Sequence, residues 1–466
     1  MKKLEKFIEA ERDALILHTQ ELIRINSVEN EAKQGMPFGE GVHEALTYVL
    51  KLAAGFGFDT INADGYAGHA DLGESEEIVA VLVHLDVVPE GKDWDYPPFG
   101  GEIHEGKIYG RGIIDDKGPT IASLYAMKAL KESGKPLKKK IRIIFGTDEE
   151  SGWKDLDYYF KHYPRPTLGF SPDAEFPLIH GEKGIQIITL TSRLDQEYAP
   201  VMIRELSGGN APNMVPDHCR AVLTAEEAFK NPINETLSRY IEKTGHHINI
   251  DAERDTLVIN SYGVSAHGSM PEKGQNAISQ MMEFLNRCPG ISRSAASFMK
   301  SYERFIGMEY NGKSFGCGFE DELSGKMIMN VGLVSLHDQT ISFTLNTRYP
   351  ISTEGRSVID AMEEKLRGTG ISLQLVEDIK PLYVPKDNEL VETLLKVYQE
   401  ETGDHTSVPV TIGGGTYARA LTLGVAFGPL FPGQEELAHQ KNEAMAVDDL
   451  ICITKIYASA MEALAT

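Results

Sequence analysis

The feature that most restricts the fold is a set of three short, almost uninterrupted apolar segments in the first part of the chain. They read IVAVLV (78–83), KIRIIFG (140–146) and TLGFS (167–171), and the helical stretch GPTIASLYAMKALKES separates the first two. Strands that are apolar on both sides are typical of a parallel sheet with helices on both faces. We therefore predict an α/β fold with a mostly parallel sheet flanked by helices.

The pattern changes near residue 186 and changes back near residue 382. Between them, alternating strands such as QIITLTS, TLVINSYG and TISFTLNTR indicate an antiparallel sheet with one exposed face, and helices such as GQNAISQMMEFLNR lie among them. After 382 a helix, NELVETLLKVYQEETG, precedes two apolar strands, VPVTI and GVAFGPL. A chain of 466 residues is too long for one typical core. We expect an α/β domain from 1–185 and 382–466, with an α+β domain, internally duplicated, inserted at 186–381.

Charge and cysteine usage restrict the partners and the compartment. Lys and Arg number 46 against 69 Asp and Glu, a net charge of −23 that disfavours nucleic acid and anionic membranes as partners. The first 20 residues are typical of an amphipathic helix and not of an export signal, and no apolar run is long enough to cross a membrane. Four cysteines, Cys219, Cys288, Cys317 and Cys452, are scattered without CxxC spacing. We expect a cytoplasmic protein.

Histidines and carboxylates follow the predicted strands at the point where each strand ends. The residues are His84, Asp86, Glu149, Glu150, Asp173 and His439. In an open α/β sheet, ligands bind beyond the carboxyl ends of the strands, and imidazole and carboxylate suit Zn, Mn or Co. Taken singly, each motif more often has a structural role, such as a helix start for DEE or an exposed loop for AHQKNE. Their joint occurrence predicts a metal site.

A further motif, GRGIIDDKGP (110–119), leads to a resemblance that covers nearly the whole chain. With HLDVVPEG, GTDEESG, NMVPD, GVSAHGSMPEKGQNA and AHQKNE, in that order, it resembles the signature of the cocatalytic zinc peptidases and amidohydrolases. That family includes aminoacylases, acetylornithine deacetylases, carboxypeptidase G and carnosinase-like dipeptidases. The chain length, the large insert and GGGTYAR (413–419) are most similar to the bacterial dipeptidase V group of Xaa-dipeptidases. The resemblance implies a catalytic domain at 1–185 and 382–466 and a lid domain at 186–381.

The resemblance also implies a role for each residue at the strand ends. Five residues would bind two divalent ions, with Asp115 bridging both: His84, Asp115, Glu150, Asp173 and His439. Spacing alone does not choose between Asp115 and Asp116. We expect zinc, with manganese or cobalt as alternatives. Glu149 would be the general base, and Asp86 would hydrogen-bond the far side of the His84 ring.

Five lid and loop residues complete the implied site. His267 would stabilise the oxyanion, although a histidine in that loop could instead cap the following helix. Asn213 and Arg348 would hold the carboxylate of the substrate, the alternative for Arg348 being a surface salt bridge. Backbone N–H groups of Gly414 and Gly415 would approach the same carboxylate.

These assignments predict a dinuclear metal-dependent dipeptidase that hydrolyses unblocked Xaa-Xaa dipeptides, including β-alanyl peptides such as carnosine. Its partner would be a small peptide substrate. We expect a monomer, because an insert of this size would supply the lid histidine within one chain. One alternative is an N-acyl-amino-acid deacylase of the acetylornithine deacetylase or succinyl-diaminopimelate desuccinylase type. Another is a non-catalytic metal- or peptide-binding module, which Glu149 argues against, since a binder gains little from a general base.

Overall fold

A computed structural model describes residues 2–195, 198–253 and 256–466. The chain divides into two compact units. The first comprises Met1–His180, Tyr383–Val410 and Gly415–Thr466, and the second comprises Gly181–Leu382 and Thr411–Gly414. The expected functional roles stay predictions: a catalytic domain at 1–185 and 382–466, and a lid at 186–381.

The segment Thr411–Gly414 belongs to the second unit, whereas the sequence-based division placed it in the catalytic domain. Hydrogen bonds account for the difference. Lys183 N donates to the carbonyl of Ile412 at 3.1 Å, and Arg348 Nη1 donates to the carbonyl of Gly413 at 3.0 Å. Contacts that are remote in sequence therefore decide where this segment packs.

The described residues form eleven α-helices. They are α1 Lys2–Ala10, α2 Arg12–Arg24, α3 Glu40–Gly55, α4 Lys117–Ser133, α5 Lys154–His162, α6 Glu227–Thr244, α7 Ala277–Leu285, α8 Arg293–Phe305, α9 Gly355–Leu366, α10 Glu389–Thr402 and α11 Val447–Ala465. Two 3-10 helices lie at Pro271–Lys273 and Tyr417–Ala420. The helix expected across the first 20 residues is two helices, because the chain turns at Glu11.

The described residues also form twenty-four strands. They are β1 Asp59–Ala63, β2 Ala67–Leu72, β3 Ile78–His84, β4 Glu102–His104, β5 Lys107–Tyr109, β6 Lys140–Gly146, β7 Leu168–Ser171, β8 Ala174–Glu175, β9 Ile179–Glu182, β10 Gly184–Arg193, β11 Val201–Gly208, β12 His218–Ala225, β13 His247–Glu253, β14 Thr256–Tyr262, β15 Glu320–Asp321, β16 Gly325–Lys326, β17 Ile328–His337, β18 Thr340–Tyr349, β19 Ser372–Ile379, β20 Leu382–Tyr383, β21 Val410–Ile412, β22 Gly424–Ala426, β23 Pro429–Leu430 and β24 Ala444–Ala446.

The main sheet of the first unit is mixed, with a parallel centre. Within the first unit its order is β1-β2-β6-β3-β7-β22. The four strands β6, β3, β7 and β22 are parallel, as the apolar segments predict. The pairs β1/β2 and β2/β6 are antiparallel. A short turn joins β1 to β2, and only antiparallel strands can be joined so closely.

The core of the first unit explains why its central strands are apolar throughout. All seven residues of β3 are buried, and the sheet packs against α4 and α11. Helix α4 is buried along most of its length because it lies between the sheet and its helical neighbours, and it ends at Gly134, whose φ of 69° is left-handed. Burial on both sides is the reason these segments lack alternation.

Two expected strands near the C-terminal end differ from the prediction. GVAFGPL is not one strand, because the left-handed Gly428, with φ of 78°, interrupts it between β22 and β23. VPVTI is reduced to β21, whose three residues are half-buried and not core. Short apolar stretches do not reveal such interruptions, because a single glycine conformation determines them.

The second unit contains an eight-stranded sheet with the order β13-β14-β12-β11-β17-β18-β10-β19, and its pairs are antiparallel. Helices α6 to α9 pack against it, and the shared core includes residues of β10, β18, α7 and α8. The expected internal duplication stays a prediction. In the part of the chain that the structure describes, no helix combines the length and apolar character needed to cross a bilayer.

Candidate metal centre

Three parallel strands of the first unit bring polar side chains to one edge of its sheet. His84 is the last residue of β3 and lies opposite Gly146, the last residue of β6, and β7 is the next neighbour of β3. Glu149 and Glu150 follow β6 within four residues, and Asp173 follows β7 within two. The parallel register therefore carries these side chains to the same edge, as the strand-end argument predicts.

Asp115 lies between two histidines. Its Oδ1 is 2.7 Å from His84 Nε2, and its Oδ2 is 2.9 Å from His439 Nε2. His439 Nε2 is also 2.9 Å from Glu150 Oε1, and His84 Nε2 is 3.9 Å from Asp173 Oδ2. One carboxylate that offers an oxygen to each of two histidines is the geometry expected of a bridging ligand.

The potential ligand atoms form two groups, in each of which all atoms lie within 4.8 Å of one another. His84, Glu149 and Asp173 form the first, and Asp115, Glu150 and His439 form the second. All five residues expected as ligands are therefore brought together, and Glu149, expected as the general base, lies among them.

The adjacent Asp116 has a different role from Asp115. It is buried, and its Oδ2 accepts a hydrogen bond from the backbone N–H of His84 at 3.1 Å. It thereby ties the end of β3 to the start of α4. Only Asp115 of the pair lies within contact distance of both histidines.

Unsatisfied buried atoms at this edge of the sheet fit a cation. His84 Nε2 and Asp115 Oδ1 are buried and lie 2.7 Å apart, but they do not have the geometry of a hydrogen bond, and Asp86 Oδ1 also has no hydrogen-bond partner among the described residues. Buried polar atoms without a partner are costly and require an explanation. A donor set of imidazole nitrogens and carboxylate oxygens suits Zn, Mn or Co. The residues present therefore fit divalent metal ions.

The electrostatics of the cluster show how strongly its negative charges repel one another. Burial, with the charge of Asp173, raises the pKa of Glu149 well above its usual value. Burial, with the charge of Asp115, raises the pKa of Asp173 to about 7. Burial opposes the charge of His84 and His439, but the surrounding carboxylates raise the pKa of both imidazoles. Because metal ligands bind in their deprotonated form, bound cations would displace protons from these groups.

The orientation of His84 differs in one detail from the expectation. Its Nδ1 lies 3.0 Å from the backbone carbonyl oxygen of Asp86 and 3.5 Å from the Asp86 carboxylate. A carbonyl oxygen only accepts, so Nδ1 carries the proton and Nε2 faces Asp115. The Asp86 carboxylate instead accepts from the backbone N–H of Glu150 at 3.0 Å. Asp86 thus contacts His84 chiefly through its main chain.

Three residues near this cluster were not singled out from the sequence. Arg111 and Glu443 form a buried ion pair with 2.7 Å between Nη1 and Oε2. The ring of Tyr417 meets that of His84 edge-on at 6.1 Å between centroids, and its hydroxyl donates to Asp155 at 2.6 Å. All three occur in recognised motifs, GRGIIDDKGP, AHQKNE and GGGTYAR. The available signal was that each of these polar residues lies inside such a motif.

In the second unit, Asn213 and His267 lie on two loops that pair with each other. Met214 and His267 form an antiparallel bridge, and Gly268 N donates to the carbonyl of Asn213 at 2.6 Å. The alternative that His267 caps the next α-helix does not hold. Asn276 caps α7, accepting from Ser279 N at 3.0 Å. The expected catalytic role of His267 stays a prediction.

Arg348, on β18, is 4% exposed, which excludes the alternative of a surface salt bridge. Its Nε donates to Asn346 Oδ1 at 2.7 Å, and its Nη1 to the carbonyl of Gly413. Gly414, the next residue, belongs to the second unit, and Gly415 belongs to the first. The substrate-binding roles expected of Arg348, Gly414 and Gly415 stay predictions.

Solved structures with the same fold include two dipeptidases. Human carnosine dipeptidase 1 superposes with a TM-score of 0.58 at 13% identity, covering 99% of both chains. The dipeptidase Dug1p of Saccharomyces cerevisiae superposes with a TM-score of 0.59 at 14% identity, covering 99% of this chain and 98% of that one. At this level of identity, the likeness concerns the fold.

Sequence comparison gives the family. The chain is 42% identical over 462 residues to "Putative dipeptidase YtjP" of Bacillus subtilis (strain 168), covering 97% of this chain and 98% of that protein. It is 37% identical over 466 residues to a "Putative dipeptidase" of Staphylococcus epidermidis, covering 99% and 98%. Residues 80–463 match the family described as peptidase family M20/M25/M40. Match length and identity agree with the expected resemblance, and the chain belongs to this peptidase family.

Proposed function

We propose that the protein is a metal-dependent dipeptidase that hydrolyses the single peptide bond of unblocked dipeptides, β-alanyl dipeptides such as carnosine among them. Its family membership supports peptide-bond hydrolysis. The names of its relatives, which it matches over nearly their whole length, support dipeptides as the substrate class.

The observation that carries the proposal is the position of Asp115. Its two carboxylate oxygens face His84 and His439 at 2.7 and 2.9 Å, and two groups of ligand atoms extend from it. Two neighbouring cations would account for a buried carboxylate placed between two imidazoles with further carboxylates beside each of them.

Two divalent ions, zinc in the first instance and manganese or cobalt otherwise, are the proposed cofactors. His84 and Asp173 would hold one ion, Glu150 and His439 the other, and Asp115 both. When bound, such ions polarise the peptide carbonyl and lower the pKa of water.

Glu149 is proposed to accept a proton from the attacking water and to return it to the leaving amine. In the metal-free protein, burial, with the charge of Asp173, raises the pKa of this carboxyl. Burial persists when cations are bound, and it favours a carboxylate that can take up a proton. Its carboxylate also lies near His84 and Asp173, so ligation is the competing role. Metal content separates the two roles, because a base can be replaced without loss of metal.

Residues of the second unit are proposed to act on the substrate. His267 would donate a hydrogen bond to the oxyanion as the carbonyl carbon becomes tetrahedral. Arg348 and Asn213 would hold the substrate carboxylate, with the N–H groups of Gly414 and Gly415. Burial supports the role of Arg348, because neighbouring groups hold a buried guanidinium in one orientation.

The compartment and the assembly are proposed on separate grounds. The four cysteines are free thiols, which supports a reducing compartment, the cytoplasm. A monomer is proposed because an insert of this size would supply the lid histidine within one chain.

A substrate panel tests the proposal. Protein freed of metal with a chelator is reconstituted with Zn²⁺, Mn²⁺ or Co²⁺ in turn and assayed with Ala-Ala, carnosine, Ala-Ala-Ala and N-acetyl-Ala. We expect Ala-Ala to be hydrolysed with at least one of the metals, the tripeptide to be a poor substrate, and N-acetyl-Ala to be inert.

Each substrate decides a separate part of the proposal. A clear preference for N-acetyl-Ala would identify a deacylase and contradict dipeptidase activity. Equal rates for Ala-Ala and Ala-Ala-Ala would contradict restriction to dipeptides. Hydrolysis of Ala-Ala that persists without any divalent ion would contradict the metal-dependent mechanism.

A further inference from the structure

A buried ion pair lies beside the metal centre, and the proposed chemistry does not use it. Arg111 is 1% exposed and Glu443 is 0% exposed. Arg111 Nη1 lies 2.7 Å from Glu443 Oε2. Burying two charges costs more than their attraction returns unless further hydrogen bonds satisfy them. The additional partners of this pair therefore indicate what it does.

Glu443 binds the loop that carries Asp115. Its Oε1 accepts from the backbone N–H of Ile114 at 2.8 Å and from that of Asp115 at 3.3 Å, and its Oε2 accepts from that of Gly112 at 3.1 Å. Its own carbonyl accepts from Gly110 N at 3.0 Å. One residue thus satisfies four backbone donors of this loop, up to and including the N–H of Asp115.

Arg111 extends the same network to two other segments. Its Nη1 also donates to the carbonyl of Gln440 at 3.2 Å, one residue after His439. Its Nη2 lies 3.4 Å from the carbonyls of Pro89 and Glu90, in the segment that follows His84 and Asp86. The guanidinium also lies over the ring of Trp94, 5.3 Å from its centroid.

We infer that Arg111 and Glu443 are positioning residues that hold Asp115 between His84 and His439. The inference rests on the proposed metal centre. The pair connects the three segments that carry these residues, which are far apart along the chain, and it makes its hydrogen bonds to their main chains. Because neither side chain lies in the ligand cluster, the pair acts through Asp115 and not on the substrate.

The bridging position is the reason that such support matters. Asp115 has to present one oxygen to each histidine, so a small rotation of its loop moves both oxygens at once. Glu443 contacts the loop at the N–H of Asp115 itself, which restrains that rotation. A change at Glu443 should therefore weaken metal binding before it affects any contact with the substrate.

Glu443→Gln is the primary variant, because it keeps the size of the side chain and removes its charge and one acceptor. Glu435→Gln is the matched control, an exposed glutamate in the segment that carries His439. Asp115→Asn alters the bridging residue directly. Binding of Mn²⁺ to the metal-free full-length protein is measured by electron paramagnetic resonance, which detects the free ion. Ala-Ala hydrolysis is measured at several Mn²⁺ concentrations.

We expect Glu443→Gln to raise the dissociation constant for Mn²⁺ about 10- to 100-fold, the range found when a group that orients a metal ligand is replaced. Excess Mn²⁺ should restore kcat, and KM for Ala-Ala at saturating Mn²⁺ should stay within twofold of wild type. Glu435→Gln should behave as wild type. A purely structural residue would change the unfolding temperature of the metal-free protein and leave the Mn²⁺ affinity of the folded protein unchanged.

The inference is overturned if folded Glu443→Gln binds Mn²⁺ within twofold of wild type. If that variant does not fold, Arg111→Lys tests the inference instead. It keeps the positive charge opposite Glu443 and loses the guanidinium N–H groups that reach the carbonyls of Gln440, Pro89 and Glu90. Weaker Mn²⁺ binding by Arg111→Lys supports the inference, and unchanged binding overturns it.

Failure of the proposed function gives a different result. Wild type that binds Mn²⁺ and does not hydrolyse Ala-Ala would contradict the proposed dipeptidase activity. The positioning role would then be tested by the Mn²⁺ affinities of the variants alone. Wild type that binds no divalent ion would overturn both. If Asp115→Asn weakens binding and Glu443→Gln does not, only the positioning role is wrong.

Discussion

Replacing Asn330 by leucine tests how the second unit presents Asn213 and His267. Asn330 lies on β17, is 1% exposed, and donates through Nδ2 to the carbonyls of Pro212 at 3.1 Å and Met214 at 2.7 Å. These carbonyls flank Asn213, and the same loop pairs with that of His267. Leucine has a similar size and cannot donate, so the loop loses both hydrogen bonds.

The expected loss of anchoring free energy depends on how well water can reach the two carbonyls once the donor is removed. Pro212 is half-buried and Met214 is exposed, so water can take the place of the lost donor in part. The net value of an ordinary hydrogen bond, about 0.5–1.5 kcal/mol, therefore applies to each, and the loop loses about 1–3 kcal/mol of anchoring. If substrate binding has to restore the loop, KM rises about 5- to 150-fold, since 1.4 kcal/mol corresponds to a factor of ten.

Steady-state kinetics with Ala-Ala and Mn²⁺ binding check this together. We expect KM to rise within that range, with Mn²⁺ affinity unchanged, because the first unit holds the metal ligands. Asn249→Leu, at an exposed position on β13, is the control and should leave KM unchanged. A KM for Asn330→Leu within twofold of wild type would refute the claim that this loop, anchored by Asn330, binds the substrate.

Three further predictions concern the proposed centre. Glu149→Gln should lower kcat by about 10²- to 10⁴-fold, as expected for a general base, and elemental analysis should still find two ions; loss of one ion would make Glu149 a ligand. Arg348→Lys should raise KM for Ala-Ala about tenfold with little change in kcat, because an ammonium replaces a bidentate fork; an unchanged KM would remove Arg348 from the substrate site. In metal-free protein, burial and Asp115 raise the pKa of Asp173 from 3.8 to about 7, so the folded state holds more protons than the unfolded state between these values. The stability that Asp173 contributes should therefore fall as pH rises across that window, and thermal unfolding at pH 5 and 7 should show a smaller pH dependence in Asp173→Asn.

The sequence predicted the parallel centre of the first sheet and the residues at its edge. Apolar segments such as 78–83 do not alternate between apolar and polar residues, because both of their faces are buried, and the sequence alone shows this pattern. Once the strands are parallel, their carboxyl ends share an edge, so His84, Glu150 and Asp173 had to lie near one another. The motif resemblance, confirmed by the family match, added Asp115, for which spacing left two candidates.

Local sequence patterns could not predict the hydrogen bonds between segments that are remote along the chain. The carbonyl of Asp86 lies 3.0 Å from His84 Nδ1, closer than the 3.5 Å to its carboxylate, so the main chain chiefly orients this ring. Gly428 divides an apolar stretch that reads as a single strand, and Thr411–Gly414 packs with the second unit because Arg348 and Lys183 bind its carbonyls. None of these contacts follows from periodicity.

By itself, the sequence determined which side chains could bind metal and at which edge of the sheet they would lie, since strand burial and strand direction depend on local apolar pattern and connectivity. The motif resemblance favoured Asp115 over Asp116, and the structure places Asp115 between both histidines. Tertiary structure alone decided which buried pair, Arg111 and Glu443, holds it there. The physical reason is that these bonds join main-chain groups whose positions depend on the complete fold, and every residue offers the same N–H and C=O groups whatever its side chain.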